Sequence, residues 1–190
     1  MTEPTLTPTS YLVLGLVRHM GGCTSYELKA AVARSIGYFW SFPHSQLYAE
    51  PARLVELGLL AGDREEAGRR RRRYTITDDG LEALQQWLST PASGVTELRD
   101  LGMLQLFFGS CVGPAAIREL ARTQVAAHEA RLAEYHGIAE RAQRGDPFQR
   151  TTLAMGLRFE QTAISFWQDV ERDVDELAQG RLAAIGFPTQ

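Results

Sequence analysis

The chain has 190 residues, enough for one or two small domains, and 44% of them are hydrophobic, which excludes an intrinsically disordered polymer. Its net charge is −3, yet ten Lys and Arg stand against six Asp and Glu from residue 18 to 76, and ten against thirteen from residue 97 onward. Attraction to phosphate acts over a Debye length of about 8–10 Å, so the first half is the part suited to a polyanion. No apolar run approaches a membrane span and the first residues carry no basic signal-like segment. Cys23 and Cys111 are too few for a disulfide framework and fit no metal spacing. A cytoplasmic chain with no membrane, metal or cofactor is the expectation.

In chain order, residues 10–20 place Leu12, Leu14, Leu16 and Val17 on a buried helix that the Gly21-Gly22 pair stops. Thr24 and Glu27 then have the spacing of a capping box. The second helix they open turns Leu28, Ala31, Val32 and Ile36 inward and Lys29 outward, and runs to Gly37. Tyr38, Phe39 and Trp40 follow as an aromatic cluster expected to pack beneath the turn. A third helix starts near Pro43, since proline suits a first turn, and buries Leu47, Pro51 and Leu54 before Gly58 closes it. Its outer face carries His44, Ser45, Tyr48, Ala52 and Glu56, with Gln46 and Arg53 on the flanks.

Residues 59–65 and 71–77 read as a hairpin with its turn near Ala67-Gly68, and Tyr74 and Ile76 alternate with Thr75 and Thr77 as a half-buried strand does. Arg69, Arg70, Arg71, Arg72 and Arg73 lie at its tip. Alternation sends neighbours to opposite faces, so two or three phosphate contacts per subunit are expected. Each would add about −0.9 to the slope of log K against log salt. A fourth helix over 78–89, capped by Thr77 or Asp78, turns Leu81, Leu84 and Trp87 or Leu88 inward, and Pro91 to Gly94 is a linker. Two domains, 1–90 and 91–190, follow.

Helix, hairpin with a cationic tip, helix is the outline of a winged helix. Several of its words resemble the PadR family of bacterial transcriptional regulators: Ser25-Tyr26-Glu27-Leu28, Gly37-Tyr38-Phe39-Trp40, Ser45-Gln46-Leu47-Tyr48, the run from Arg53 to Leu60, and Arg73 to Gly80. The resemblance covers about residues 10–89. It implies a mainly α protein: a winged helix-turn-helix domain followed by an all-α antiparallel helical dimerisation domain. It implies that the third helix enters the major groove of a double-stranded operator and that the arginine tip lies along phosphates or the minor groove. The matching contact positions are Ser45, Gln46, Tyr48 and Arg53, with Lys29 supporting; Arg69 to Arg73 of the tip and His44 at the helix start, which reads equally as a surface histidine, complete the candidate contact set. The residue types suit the task, since Gln pairs with adenine, Arg with guanine, and Tyr or Ser holds phosphate oxygens. Ala49 stands where relatives often have Pro, and Ala52 where they often have a basic residue, so base preference does not carry over.

Beyond the linker, residues 98–108 predict a short apolar helix ended by Gly109. A long helix opens at Pro114 with Ile117, Ala121, Val125, His128, Leu132 and Tyr135 on one face and stops at 145–147. The last helix, 151–179, has an apolar arc too broad for one neighbour. Leu157, Phe159, Ile164, Phe166, Trp167, Val170 and Val174 are therefore expected to pack partly within the subunit and partly against a second copy. A two-fold homodimer would read a palindrome. Phe107, Phe108, Tyr135 and Trp167 are the candidate lining of an effector pocket for an aromatic or drug-like molecule, with ordinary core packing as the alternative.

A repressor released by such an effector is the expected function. The alternative is a DNA-binding architectural protein that needs no ligand. No phosphate-binding glycine loop or nucleophile elbow occurs, and His128 and His136, eight apart, share no ligand at metal spacing, so catalysis is not expected.

Overall fold

The computed structural model describes residues 5–40, 45–64, 72–142 and 145–181, and the chain divides into two compact units, Met1–Val95 and Thr96–Gln190. The first unit runs α1 (Pro8–His19), β1 (Cys23–Thr24), α2 (Ser25–Ala33), a 3₁₀ turn (Ile36–Tyr38), α3 (Gln46–Glu56), β2 (Leu60–Arg64), β3 (Arg72–Ile76) and α4 (Asp78–Ser89).

Local chemistry explains where these helices begin. Thr7 caps α1, with its hydroxyl accepting the Ser10 N–H while the Ser10 hydroxyl accepts the Thr7 N–H. Pro8 fits the first turn, so the helix starts earlier than the expected residue 10. Thr24 and Glu27 form the expected capping box on α2. That helix ends at Ala33 rather than Gly37: the Ser35 hydroxyl takes the Ala31 carbonyl, and the chain tightens into the 3₁₀ turn. Of the two candidate caps on α4, Thr77 is the one, accepting the Gly80 N–H.

The two-residue strand β1 is too short to show any periodicity in the sequence. It pairs antiparallel with β3 (Cys23 opposite Tyr74, Thr24 opposite Arg73), giving the sheet order β1-β3-β2. The core of the unit is Val13, Leu14, Val17, Cys23, Leu28, Leu47, Leu54 and Leu60. Two glycines are needed to close it. Gly58 turns α3 into β2 at φ +75°, a region disfavoured for residues with a Cβ, and a Cβ on Gly80 would lie 2.0 Å from the Leu59 carbonyl oxygen. Of the expected inner face of α4 only Leu84 is buried; Trp87 and Leu88 are both exposed, with the Trp87 ring lying flat on Tyr11 at 4.6 Å and 5° between planes.

One expectation fails here. Phe39 and Trp40 do not pack beneath the turn; they are 63% and 44% exposed. The residue of this turn that packs against the core, which holds Leu28 and Val32, is Ile36.

The second unit holds α5 (Leu101–Phe107), a 3₁₀ turn (Gly109–Cys111), α6 (Pro114–Arg141) and α7 (Pro147–Ala178). Asp100 caps α5 through the Met103 N–H. Pro147 starts α7 four residues before the expected start, because Asp146 accepts the N–H groups of Phe148 and Gln149. The helices α6 and α7 form an antiparallel pair: Arg118 meets Asp175, Arg122 meets Glu171, and His128 meets Glu160. Their common core is Ile117, Ala121, Trp167, Val170 and Val174. Among the described residues no helix is long and apolar enough to cross a membrane. The whole is a winged helix-turn-helix followed by a helical unit, mainly α.

Candidate nucleic-acid interface

The helix α3 has two chemically distinct faces. Leu47, Pro51 and Leu54 are buried against the core, and Ser45, Gln46, Tyr48 and Ala49 are exposed at its N-terminal end. Lys29 is exposed on α2. Thr9 of α1 donates its hydroxyl to Gln46 Oε1 (3.1 Å), so the amide is oriented before any ligand arrives.

Arg53, at the far end of the helix, is engaged. Its Nε and Nη2 fork onto the two carboxylate oxygens of Glu50 at 3.1 and 2.8 Å, and Nη2 also reaches Ser10 Oγ at 3.1 Å. Burial acts to raise the Glu50 pKa, but hydrogen bonds from Arg53 and Ser10 outweigh it and the carboxyl is held below its ordinary range. The bond to Glu50 raises Arg53 in turn. Arg53 thus leaves the flank where its sequence position puts it, and the i,i+3 spacing of opposite charges is the local signal that points to Glu50.

In the hairpin, Leu60 pairs with Ile76, Gly62 with Tyr74 and Asp63 with Arg73. The Arg72 guanidinium lies over the Tyr74 ring, 5.6 Å from its centroid, within cation–π range. Gly62 makes room for it, since a Cβ there would stand 2.5 Å from Arg72 Nε. Arg73 donates from Nη2 to the Gly22 carbonyl at 2.7 Å, tying the hairpin to the turn after α1. Both arginines therefore have partners within the unit. His44, Arg69, Arg70 and Arg71 lie outside the described residues.

In the second unit the seven candidate interface residues divide. Trp167, Val170 and Val174 are buried in the α6–α7 core of the same chain, because their side of α7 faces Ile117 and Ala121. Leu157, Ile164 and Phe166 are half-buried, and Phe159 is exposed. The four candidate pocket residues also separate: Tyr135 and Trp167 are buried, whereas Phe107 is 80% exposed and Phe108 57%. An open groove of about 770 Å³ lies elsewhere, between Ala139 on α6 and Pro147, Arg150, Ala154 and Leu157 on α7, and none of those four lines it.

One site escaped the sequence reading. Glu160 on α7 is buried, and its Oε2 lies 2.5 Å from His128 Nδ1, with the Phe159 ring edge-on to the imidazole at 6.3 Å. A buried carboxylate needs such a partner. His128 falls on the expected inner face, but Glu160, between Phe159 and Gln161, carries no local sign that it joins it.

A three-stranded winged helix-turn-helix with a polar, exposed end on its third helix, joined to a long antiparallel helix pair, defines a class of transcriptional regulators. Residues 13–86 match the model of the Transcriptional regulator PadR-like family and residues 98–175 that of the Virulence activator alpha C-term. The chain belongs to the PadR-like family of transcriptional regulators. It is 29% identical over 133 residues to the negative transcriptional regulator PadR of Bacillus subtilis, covering 69% of this chain and 72% of that one. The crystal structure of Bacillus subtilis PadR in complex with operator DNA superposes with a TM-score of 0.81 at 24% identity, over 90% of this chain and 100% of that one. The crystal structure of the same protein in complex with p-coumaric acid gives 0.74 at 25% identity, over 88% and 98%.

Proposed function

We propose that this chain is a homodimeric, sequence-specific DNA-binding repressor that reads a palindromic operator and releases it when a small aromatic effector binds. The observation that carries the reading is the two-faced α3, whose buried stripe seats it in the core while Ser45, Gln46 and Tyr48 stand exposed at its N-terminal end. Helix-turn-helix readers present base-contacting side chains from that end. Lys29 adds an exposed cation on the preceding helix. The local excess of positive charge in this half and the likeness to a negative regulator support the same reading.

Gln46 is the base reader in this scheme, Ser45 and Tyr48 hold the backbone or neighbouring bases, and Lys29 with part of the Arg69–Arg73 run neutralises phosphates. His44 extends the contact at the helix start. Phe159 and the half-buried Leu157, Ile164 and Phe166 supply the apolar surface for the second copy, on which Phe148 and Met155 also stand exposed; Trp167, Val170 and Val174 back that surface from within. An aromatic acid is the effector class, by likeness to the p-coumaric acid complex, and Phe107, Phe108, Tyr135 and Trp167 remain its candidate contacts.

The test is a duplex selected by the full-length protein from a randomised library, titrated beside random duplex over a range of salt. The selected duplex should bind about 10³-fold or more tightly than random DNA. Gln46→Ala should erode that ratio, and Lys29→Gln should flatten the salt slope by about 0.9. Equal affinity for both duplexes would make the chain an architectural protein instead, and a monomer in sedimentation would remove the palindrome.

A further inference from the structure

A small polar cluster lies between α1 and α3, built by Thr7, Ser10, Glu50 and Arg53. Ser10 is fully buried. Its hydroxyl donates to Glu50 Oε1 at 2.6 Å and accepts from Arg53 Nη2 at 3.1 Å and from the Thr7 N–H at 2.9 Å. One donor and two lone pairs exhaust a hydroxyl. Glu50 has both oxygens on Arg53, and its side chain is 13% exposed against 37% for Arg53. The Nε–Nη2 edge of Arg53, which matches a phosphate or a guanine, already holds a carboxylate of the same helix.

We propose that Glu50 is a positioning residue that holds Arg53 against Ser10, withdrawing this cation from the DNA-contacting set and locking α3 to the capped first turn of α1. The inference rests on the DNA-binding reading above and removes one residue from the contacts that the sequence suggested. Geometry favours it on two grounds. A carboxylate left unpaired on the reading helix would repel a polyanion, and pairing with Arg53 neutralises it. A Ser10 hydroxyl with all its bonds made inside the domain ties the reading helix to α1 through a short, charge-assisted bond, and Thr9 does the same for Gln46 one turn earlier.

The consequence is unusual for an arginine on such a helix: it makes no contribution to the salt dependence of binding, and freeing it creates one. The experiment measures log K against log salt for the full-length wild type, Glu50→Gln, and the double variant Glu50→Gln/Arg53→Gln, each on a 30-bp random duplex and on the library-selected duplex. Glu50→Gln loosens the fork, so the slope on random duplex should steepen by about 0.9, the value of one added phosphate contact. Simple loss of helix packing would not steepen it. The double variant changes no net charge and keeps hydrogen-bonding side chains; its slope on random duplex should equal that of the wild type. Its preference for the selected duplex should fall several-fold, as α3 loses its tie to α1.

A slope unchanged in Glu50→Gln overturns the proposal. So does a double variant whose slope flattens by about 0.9, because Arg53 would then be a phosphate contact already. If the wild type binds neither duplex, the DNA-binding reading itself fails and this inference with it, whereas intact wild-type binding with either of the two contrary slopes sinks the inference alone. Far-UV circular dichroism on all three proteins confirms that the fold is retained, and the charge-neutral double variant guards against a single variant that does not fold.

Discussion

The N-terminal unit closes over an aliphatic core, with Val13, Leu14, Val17, Leu28, Leu47 and Leu54 at zero exposure and mainly aromatic side chains such as Tyr26 and Phe39 outside it, whereas the C-terminal unit leaves Leu101, Leu104, Phe107, Phe108, Phe148 and Met155 in the open. The first has a three-stranded sheet and four helices that surround one another, so each helix has more than one neighbour. The second is built on one helix pair, and a pair buries a single seam: Ile117 and Ala121 against Trp167, Val170 and Val174. A helix of 32 residues with one partner inevitably carries another face that its partner does not reach. The first unit therefore holds its surface from several sides, while the second leaves apolar side chains that its helix pair does not cover.

Breaking each core separately gives the largest effects. Trp167→Ala removes the largest fully buried side chain and should cost the C-terminal unit about 3–5 kcal/mol, and Leu54→Ala should cost the N-terminal unit about 2–5 kcal/mol. Urea unfolding followed by hydrogen exchange separates them; if either substitution lowers protection equally in both units, the division into independent cores is wrong.

The buried His128–Glu160 pair sharpens the contrast, because it is a polar insertion in a seam that is otherwise apolar. Glu160→Ala strands the imidazole and should destabilise by about 1–3 kcal/mol. Replacing both residues by Leu should restore stability to near the wild-type value. A double variant as unstable as the single one would show that the two groups do not act on each other.

Capping comes next in size. Thr24→Ala removes the hydroxyl that accepts the Glu27 N–H and should lower the melting free energy by about 1 kcal/mol, with binding of random duplex unchanged. A loss as large as that of Leu54→Ala would mean that the cap also organises the β1–β3 pairing.

The smallest effect concerns the thiols. Burial, with Glu27 nearby and Arg73 opposing, pushes the Cys23 thiol from 9.0 up to about 11, while Cys111 is exposed. At pH 8 iodoacetamide should therefore modify Cys111 and spare Cys23 until the protein is unfolded. The sign for stability follows from the raised folded value: the contribution is complete below about pH 9, where both states are protonated. It falls away as pH climbs through 11, where the unfolded chain has already given up its proton. Cys23→Ala should remove that alkaline loss; a profile identical to the wild type would contradict it.

Much of the first unit could be read directly because its signals are local. The capping box at Thr24, the two-residue periodicity of Tyr74 and Ile76, and the breaks at Gly21-Gly22 and Gly58 act within a few residues, and each produced its element. The outward placement of Ser45, Gln46 and Tyr48 followed from the three- and four-residue spacing of Leu47, Pro51 and Leu54. Pro147 shows how such a signal divides: a proline after a glycine reads as an end, but the Asp146 cap makes the same residue a beginning.

What no local pattern contained was partnership across the chain. Charges and apolar spacing told which residues seek company, and thus gave the winged helix and the long helix pair. They could not tell that the Glu50–Arg53 pair meets Ser10, that Arg73 meets the Gly22 carbonyl, or that Glu160 turns into the core to find His128. Those choices arise when α3 is laid on α1 and α7 on α6, since hydrogen bonds and desolvation depend on distances of a few ångströms between segments that lie 30 to 50 residues apart or more.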